Sequence, residues 1–204
     1  MSIVLIRHGE TDLNAARVLQ WPDTPLGDHG RRQARALAAR FANRPPAAIA
    51  ASDMARARQT AEAVSAATGV PVIQSPLLGE RSFGLLRGRR FDELGFDPVA
   101  DERGAPGGES MAEFRARVAQ AMDWIRALRR DAGGDVLVVT HGLVIRLALT
   151  EHVRLPAGTV VPERLSNTSV SILGAEPPHE VSLLGCCRHL DEAARDDGRG
   201  VVGI

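Results

Sequence analysis

Short apolar runs alternate along this chain with stretches whose apolar residues recur every three or four positions. Residues 3–6 are apolar throughout, and a run of that length predicts a buried strand. Ala34, Leu37, Ala38 and Phe41 share one face of a helix that starts near Gly27 to Gly30 and stops before Pro45 and Pro46. Residues 48–51 form a second strand. A helix follows from Ser52 and Asp53, both good N-cap residues, and ends at Gly69 ahead of Pro71. Val72 and Ile73 are a third strand. Residues 76–108 are rich in Gly, Pro and charge and read as irregular. The longest helix comes next: Ser110 and Glu113 are spaced as a capping box, and Met111, Phe114, Val118, Ala121, Ile125 and Leu128 keep three-four spacing up to Gly133 and Gly134. Residues 136–139 are the clearest strand, a mostly apolar helix covers about 143–150, and the runs 170–173 and 181–184 are strands divided by Pro177 and Pro178. Alternation of this kind implies an α/β fold with a mostly parallel central sheet. With no internal repeat or interior linker, residues 1–204 read as one domain whose polar, glycine-rich tail is loose from about residue 191.

Composition sharpens the picture by subtraction. All 25 basic residues are arginine, so the chain has no lysine for a phosphate-binding P-loop, a kinase or a Schiff base. Tyrosine is absent too. The 25 acidic residues bring the formal net charge to zero, which argues against a nucleic-acid or membrane-surface partner. No stretch approaches the roughly 20 apolar residues that would span a bilayer. Cys186 and Cys187 are adjacent, and neighbours rarely form a structural disulfide, so a reduced, cytoplasmic protein is expected.

Two histidines stand where such folds place chemistry. Arg7, His8 and Gly9 directly follow the first strand, and His141 and Gly142 directly follow the strand at 136–139. Both would emerge at the carboxyl edge of a parallel sheet, where ligands bind. The other histidines, His29, His152, His179 and His189, have no such context and read as surface or structural. Arg7 adjoins His8, and Arg56 lies in the first turn of a helix, whose free N–H groups and guanidinium fork suit a phosphate. Arg31, Arg32, Arg129 and Arg130 read as solvated. Nearby arginines would hold His8 neutral by disfavouring a further positive charge, and would repel any cation the histidines might otherwise ligate. Neither CxxC nor HExxH spacing occurs.

These residues carry a resemblance that runs through nearly the whole chain. Leu5 to Thr11 resembles the RHGET signature of the histidine phosphatase (phosphoglycerate mutase-like) superfamily. Asn14 is similar to the family's asparagine, Gln20 to the glutamine of its broad-specificity phosphatase branch, residues 23–26 to its DxPLT segment, and Gly30, Gln33 and Ala34 to its GxxQA helix. Residues 52–61 resemble its SxLxRAxQTA block, and residues 78–84 the segment that carries its acid. Gly108, Glu109 and Ser110 look like its GES helix start, Val139 to Gly142 its second histidine motif, and Asn167 to Val170 a late strand. The resemblance implies a three-layer α/β/α fold and assigns roles. His8 would attack phosphorus and become a phosphohistidine. Arg7, Arg56 and His141 would clamp the phosphoryl oxygens, with Asn14, Gln20 and Gly142 helping to bind the phosphate and its neighbours. Glu80 would protonate the leaving oxygen and then activate water. No metal or other cofactor would be needed, and the partner would be a small phosphorylated substrate.

Departures from the family pattern narrow the activity. Gln20 runs straight into Trp21 and Pro22, one residue short of the usual loop, and Gly27 replaces the usual threonine cap. After Glu80 the chain reads Arg-Ser-Phe-Gly, without the lysine-bearing stretch of mutases. A phosphomonoester hydrolase is therefore the leading expectation, with a phosphoglycerate mutase-type transferase or a non-catalytic scaffold of the same fold as alternatives. A nucleotide-binding module with a P-loop would need a lysine, and the chain has none.

Overall fold

Strands β1 (Ser2–Arg7), β2 (Ala48–Ala51), β3 (Val72–Gln74), β4 (Val136–Thr140), β5 (Val170–Gly174) and β6 (Val181–Cys186) form one sheet in the order β3-β2-β4-β1-β5-β6. The computed structural model describes residues 1–190, so the tail expected to be loose from about 191 lies outside the described residues. The pairings β1–β4, β2–β4 and β2–β3 are parallel, and β5 runs antiparallel to both β1 and β6. The sheet is therefore mixed but mostly parallel, as the alternation of strands and helices implies.

Successive residues of a strand face opposite ways, and here each face feeds its own core. Ile3, Leu5, Ala48, Ala50, Val136 and Val138 pack with Phe114, Val118, Met122 and Ile125 of α4 (Met111–Ala132) and with Leu143, Val144 and Ala148 of α5 (Gly142–Glu151). Val4, Ile6, Ile49, Ala51, Leu137 and Val139 pack on the other side. They meet Leu37 and Ala38 of α2 (Asp28–Ala42) and Ala57, Ala61 and Val64 of α3 (Ala55–Thr68). Two cores on one sheet make the three-layer α/β/α arrangement. Among the described residues, no helix is long and apolar enough to cross a membrane.

Local details differ from the sequence pattern in several places. The helix expected from Ser52 and Asp53 starts only at Ala55, with Met54 in the cap position and no side-chain cap. Ser52 is instead committed to other partners, as described below. Asn167 and Thr168 form a turn, and the late strand begins at Val170 because Thr168 adopts a left-handed conformation (φ 55°) that no strand accommodates. The last strand reaches Cys186, two residues further than the apolar run. Arg129 is not solvated: its side chain is 12% exposed and pairs with Glu176 at 2.8 Å. His179, as expected of a structural histidine, is buried and bonded through Nδ1 to the Gly174 carbonyl at 2.8 Å.

One close approach fixes the loop after β1 against α2. A Cβ on Gly30 would lie 1.9 Å from the Glu10 carbonyl oxygen, and one on Gly9 would lie 2.7 Å from the Gly30 oxygen. Both positions require glycine because the obstacles are backbone atoms.

Candidate active site

Parallel pairing of β1 with β4 places Arg7 opposite Thr140, so the two residues that follow, His8 and His141, leave the sheet side by side. Their ring centroids are 5.0 Å apart with the planes inclined at 57°. Both are buried, as are Arg7, Arg56, Glu80, Asn14 and Gln20.

The backbone holds His8 from three directions. Its N–H donates to the Thr140 carbonyl at 2.9 Å, and its own carbonyl accepts from Asn167 Nδ2, also at 2.9 Å. The Thr168 N–H reaches the Arg7 carbonyl at 3.0 Å. The ring is fixed as well. His8 Nδ1 lies 2.7 Å from the Gly9 carbonyl, which can only accept, so Nδ1 carries the proton. In the neutral ring Nε2 then keeps its lone pair. The His8 pKa lies well below its ordinary value of 6.5, first because burial penalises the charged form, then because Arg56 and Arg7 repel it. Arginine repulsion, the cause read from the sequence, is thus second to burial.

His141 is depressed in the same way, by burial first and then by Arg56, His8, Arg117 and Arg7. Its Nε2 meets Ser52 Oγ at 2.9 Å, and that hydroxyl also accepts the Met54 N–H at 3.2 Å. This is why Ser52 does not cap the helix. Arg56 sits in the first turn of α3 and donates through Nη1 to the Trp21 carbonyl at 3.0 Å. Burial, together with repulsion from Arg7 and Arg87, outweighs attraction from Glu80 and lowers the Arg56 pKa to about 10. It stays cationic at neutral pH. Arg7 donates through Nη1 to the Leu165 carbonyl.

Asn14 and Gln20 are tied to the same loop through Thr11. The Thr11 N–H donates to Asn14 Oδ1 at 3.3 Å, and the Thr11 hydroxyl donates to Gln20 Oε1 at 2.7 Å. Asn14 itself lies on α1 (Asp12–Ala15), a single turn closed by a capping box between Thr11 and Asn14. With both acceptor ends occupied, the amide groups keep their N–H donors. Asn14 Nδ2, Gln20 Nε2, Arg56 Nε and His141 Nδ1 are all buried nitrogens that no protein acceptor satisfies. Buried donors are normally satisfied, so donors left over in one place mark a site for an anion with several oxygens.

Glu80 supplies the acidic group. Its Oε1 accepts the Arg81 N–H at 3.0 Å and its Oε2 accepts the N–H of Leu143 at 3.3 Å, next to Gly142 at the start of α5. Burial pushes its pKa up to about 7, against the downward pull of those two N–H groups and of Arg56 and Arg7. A carboxyl group titrating near neutrality can give and take a proton with equal ease.

The Glu80 loop is held by residues whose purpose the sequence pattern did not reveal. Arg117 on α4 forks onto Glu109 with two 2.7 Å bonds and donates to the carbonyls of Leu77 (2.9 Å), Gly79 (2.7 Å) and Glu80 (3.3 Å). Thr140 Oγ1 ties the Leu78 carbonyl to the end of β4 at 2.6 Å. Only the GES motif at 108–110 signalled Glu109. Ser52 and Asn167 lay inside recognisable motifs, but their hydrogen bonds to His141 and His8 join segments far apart in the chain. Among the described residues, no three His, Cys, Asp or Glu side chains converge as metal ligands would.

Comparisons with known proteins bear on the family and the fold. The profile of the histidine phosphatase superfamily (branch 1) matches residues 3–184. A probable phosphoglycerate mutase, GpmB of Serratia proteamaculans (strain 568), is 33% identical over 214 residues, covering 97% of this chain and 98% of its own. Among solved structures, YhfR of Bacillus stearothermophilus superposes with a TM-score of 0.78 at 30% identity, over 93% of this chain and 99% of its own. A mycobacterial glucosyl-3-phosphoglycerate phosphatase superposes with a TM-score of 0.75 at 28% identity, over 91% and 98%.

Proposed function

Because this chain belongs to the histidine phosphatase superfamily (branch 1), we propose that it is a phosphomonoester hydrolase, acting on small phosphorylated metabolites through a phosphohistidine at His8. The observation that carries the reading is the His8 ring: Nδ1–H is consumed by the Gly9 carbonyl, which leaves Nε2 unprotonated on a ring that feels the charges of Arg56 and Arg7.

The reaction has two steps. In the first, His8 Nε2 attacks phosphorus, the bond from phosphorus to the ester oxygen breaks, and the Glu80 proton moves to the departing alcohol. In the second, water attacks phosphorus, its proton passes to the Glu80 carboxylate, and the phosphorus–nitrogen bond breaks to release inorganic phosphate. Each step returns Glu80 to the state the other requires, which suits a pKa of about 7. Arg7 and Arg56 neutralise the phosphoryl oxygens, with His141, Asn14, Gln20 and the Gly142 N–H completing the cradle as hydrogen-bond donors. Donation from the Ser52 hydroxyl to His141 Nε2 would leave Nδ1–H as the group that faces the phosphoryl oxygens. Arginines provide the positive charge that a metal supplies in other phosphatases, so the mechanism needs neither metal nor cofactor. A cytoplasmic setting fits two cysteines that share no disulfide.

A mutase that returns the phosphoryl group to its substrate is the second reading, favoured by the name of the Serratia relative. The absence of lysine and the departure after Glu80 weigh against it. Rapid-quench experiments with 32P-labelled monoesters decide. A hydrolase gives acid-labile, base-stable label on the His8 peptide, absent in His8→Ala, and steady release of inorganic phosphate. Label on serine or aspartate would refute the phosphohistidine. Efficient interconversion of 2- and 3-phosphoglycerate with little free phosphate would establish the mutase.

A further inference from the structure

Residues 81–90 carry four arginines, and the fold gives them different surroundings. Arg81 is buried and donates to the carbonyls of Glu109 (3.1 Å) and Val99 (3.0 Å). Arg90 is exposed and forks onto Asp92 with bonds of 3.1 and 3.0 Å. Arg89 is exposed to solvent, with its backbone carbonyl fixed by the Leu19 N–H at 3.0 Å. Arg87 is different. It is half-buried, has no carboxylate partner among the described residues, and makes one side-chain bond, from Nη2 to Ser82 Oγ at 3.1 Å.

Two anchors fix where Arg87 stands. Ser82 lies two residues beyond Glu80, so the Nη2 bond attaches the guanidinium to the limb that carries the acid. On the other side, the Gly88 N–H donates to the Leu19 carbonyl at 2.7 Å. The backbone there lies against the Trp21 indole: a Cβ on Gly88, whose φ is +84°, would fall 2.2 Å from Trp21 Cη2. The Trp21 carbonyl in turn holds Arg56. Arg87 therefore bridges the limb bearing Glu80 and the limb bearing Gln20 and Trp21. Its positive charge is felt at Arg56, where it adds to burial and Arg7 in lowering the pKa. A half-buried cation beside a buried one raises the energy of the fold unless an anion compensates both. The phosphoryl group has Arg7 and Arg56 for its own charge. Arg87 is left over.

We propose that Arg87 is a specificity-determining residue that binds a second anionic group, carboxylate or phosphate, on the alcohol portion of the substrate. This rests on the phosphoryl-transfer reading of the site and names the substrate class it prefers: phosphomonoesters that carry a further negative charge. The planar guanidinium suits either anion, because both present two oxygens to its fork.

The test compares three esters with one carbon skeleton: glycerol 3-phosphate, 3-phosphoglycerate and glycerol 1,3-bisphosphate. The quantity read is the ratio of kcat/KM for each anionic ester to that for glycerol 3-phosphate. In the wild type the ratio exceeds one for at least one anionic ester, and which ester shows it identifies the anion. Arg87→Met lowers that ratio by about 10- to 100-fold, mainly through KM, and Arg87→Lys restores part of it. An equal loss on all three esters, or no change in the ratio, would overturn the inference. If Arg87→Met does not fold, the wild-type ratio is followed from low to high salt. A contact between ions weakens as salt is added, and a ratio indifferent to salt would overturn the proposal. A wild type that hydrolyses none of the three esters and no nitrophenyl phosphate would overturn the hydrolase reading itself, and this inference with it.

Discussion

Glu80 is a carboxyl group that the fold keeps out of water, and its proton is measurable in two independent ways. The first is the rate. Phosphorylation of His8 needs Glu80 protonated, so kcat/KM for an alkyl phosphate should fall as pH rises through about 7. His8 stays neutral to well below pH 6.5, so its own limb lies far to the acid side. Glu80→Gln should remove the alkaline limb and slow alkyl phosphates by roughly 10²- to 10⁴-fold, with less effect on nitrophenyl phosphate, whose leaving group needs little protonation. Single-turnover profiles of both esters check this. Equal losses on the two would mean that Glu80 binds rather than protonates. The second is stability. The folded pKa of about 7 exceeds the unfolded value near 4.5, so the native state holds its proton more tightly and this site loses stability as pH rises from about 4.5 to about 7. Glu80→Gln should therefore melt higher than the wild type at pH 8, by an amount worth a few kcal/mol at most, and show little gain at pH 4. Buried, neutral His8 and His141 act with the opposite sign, and their contribution is lost as pH falls below 6.5. A melting difference independent of pH would contradict this account of Glu80.

At the scale of the elements, the glycine contact between α2 and the loop after β1 is the least forgiving joint in the site. Gly30→Ala must displace either the start of α2 or the Glu10 backbone, two residues from His8. It should cost more than about 3 kcal/mol and lower Tm by on the order of 10 °C, whereas helix propensity alone would favour alanine. A calorimetric scan showing an unchanged or raised Tm would refute the contact. The strands and long helices around this joint were legible in the sequence because their signals are local: unbroken apolar runs for β1 and β4, three-four spacing and a capping box for α4. Both histidines could be placed for the same reason, each at the end of such a run. The capping box of α1 spans too few residues to carry a period. The start of α3 was misjudged because Ser52, a good cap in isolation, is drawn to His141 by a strand pairing that only the folded sheet creates. The hydrogen bonds of Asn167 and Arg117 are hidden from the sequence on the same grounds. Each acts on a backbone carbonyl brought close by tertiary structure, and no local pattern reports that.

For the molecule as a whole, the charge arrangement predicts behaviour toward metals. Arg7 and Arg56 are buried beside both histidines, so a divalent cation entering there meets like charge before it meets a ligand. Activity should survive exhaustive dialysis against EDTA, followed as phosphate release before and after. Loss that magnesium or zinc restores would show the site to be misread. The sheet order was not legible in advance, since apolar runs say which segments pair inward but not with whom. That order has a consequence for how the protein comes into being. β1 leaves the ribosome before the other five strands of its sheet, yet it is an interior strand whose neighbours are β4 and β5, where Ile3 meets Val136 on one edge and Leu173 on the other. Until β4 has been translated, β1 and the His8 that follows it have neither neighbouring strand to pair with. Phosphate chemistry therefore arrives late and all at once: a nascent chain halted before β4 should carry the entire RHGET segment and yet be inert.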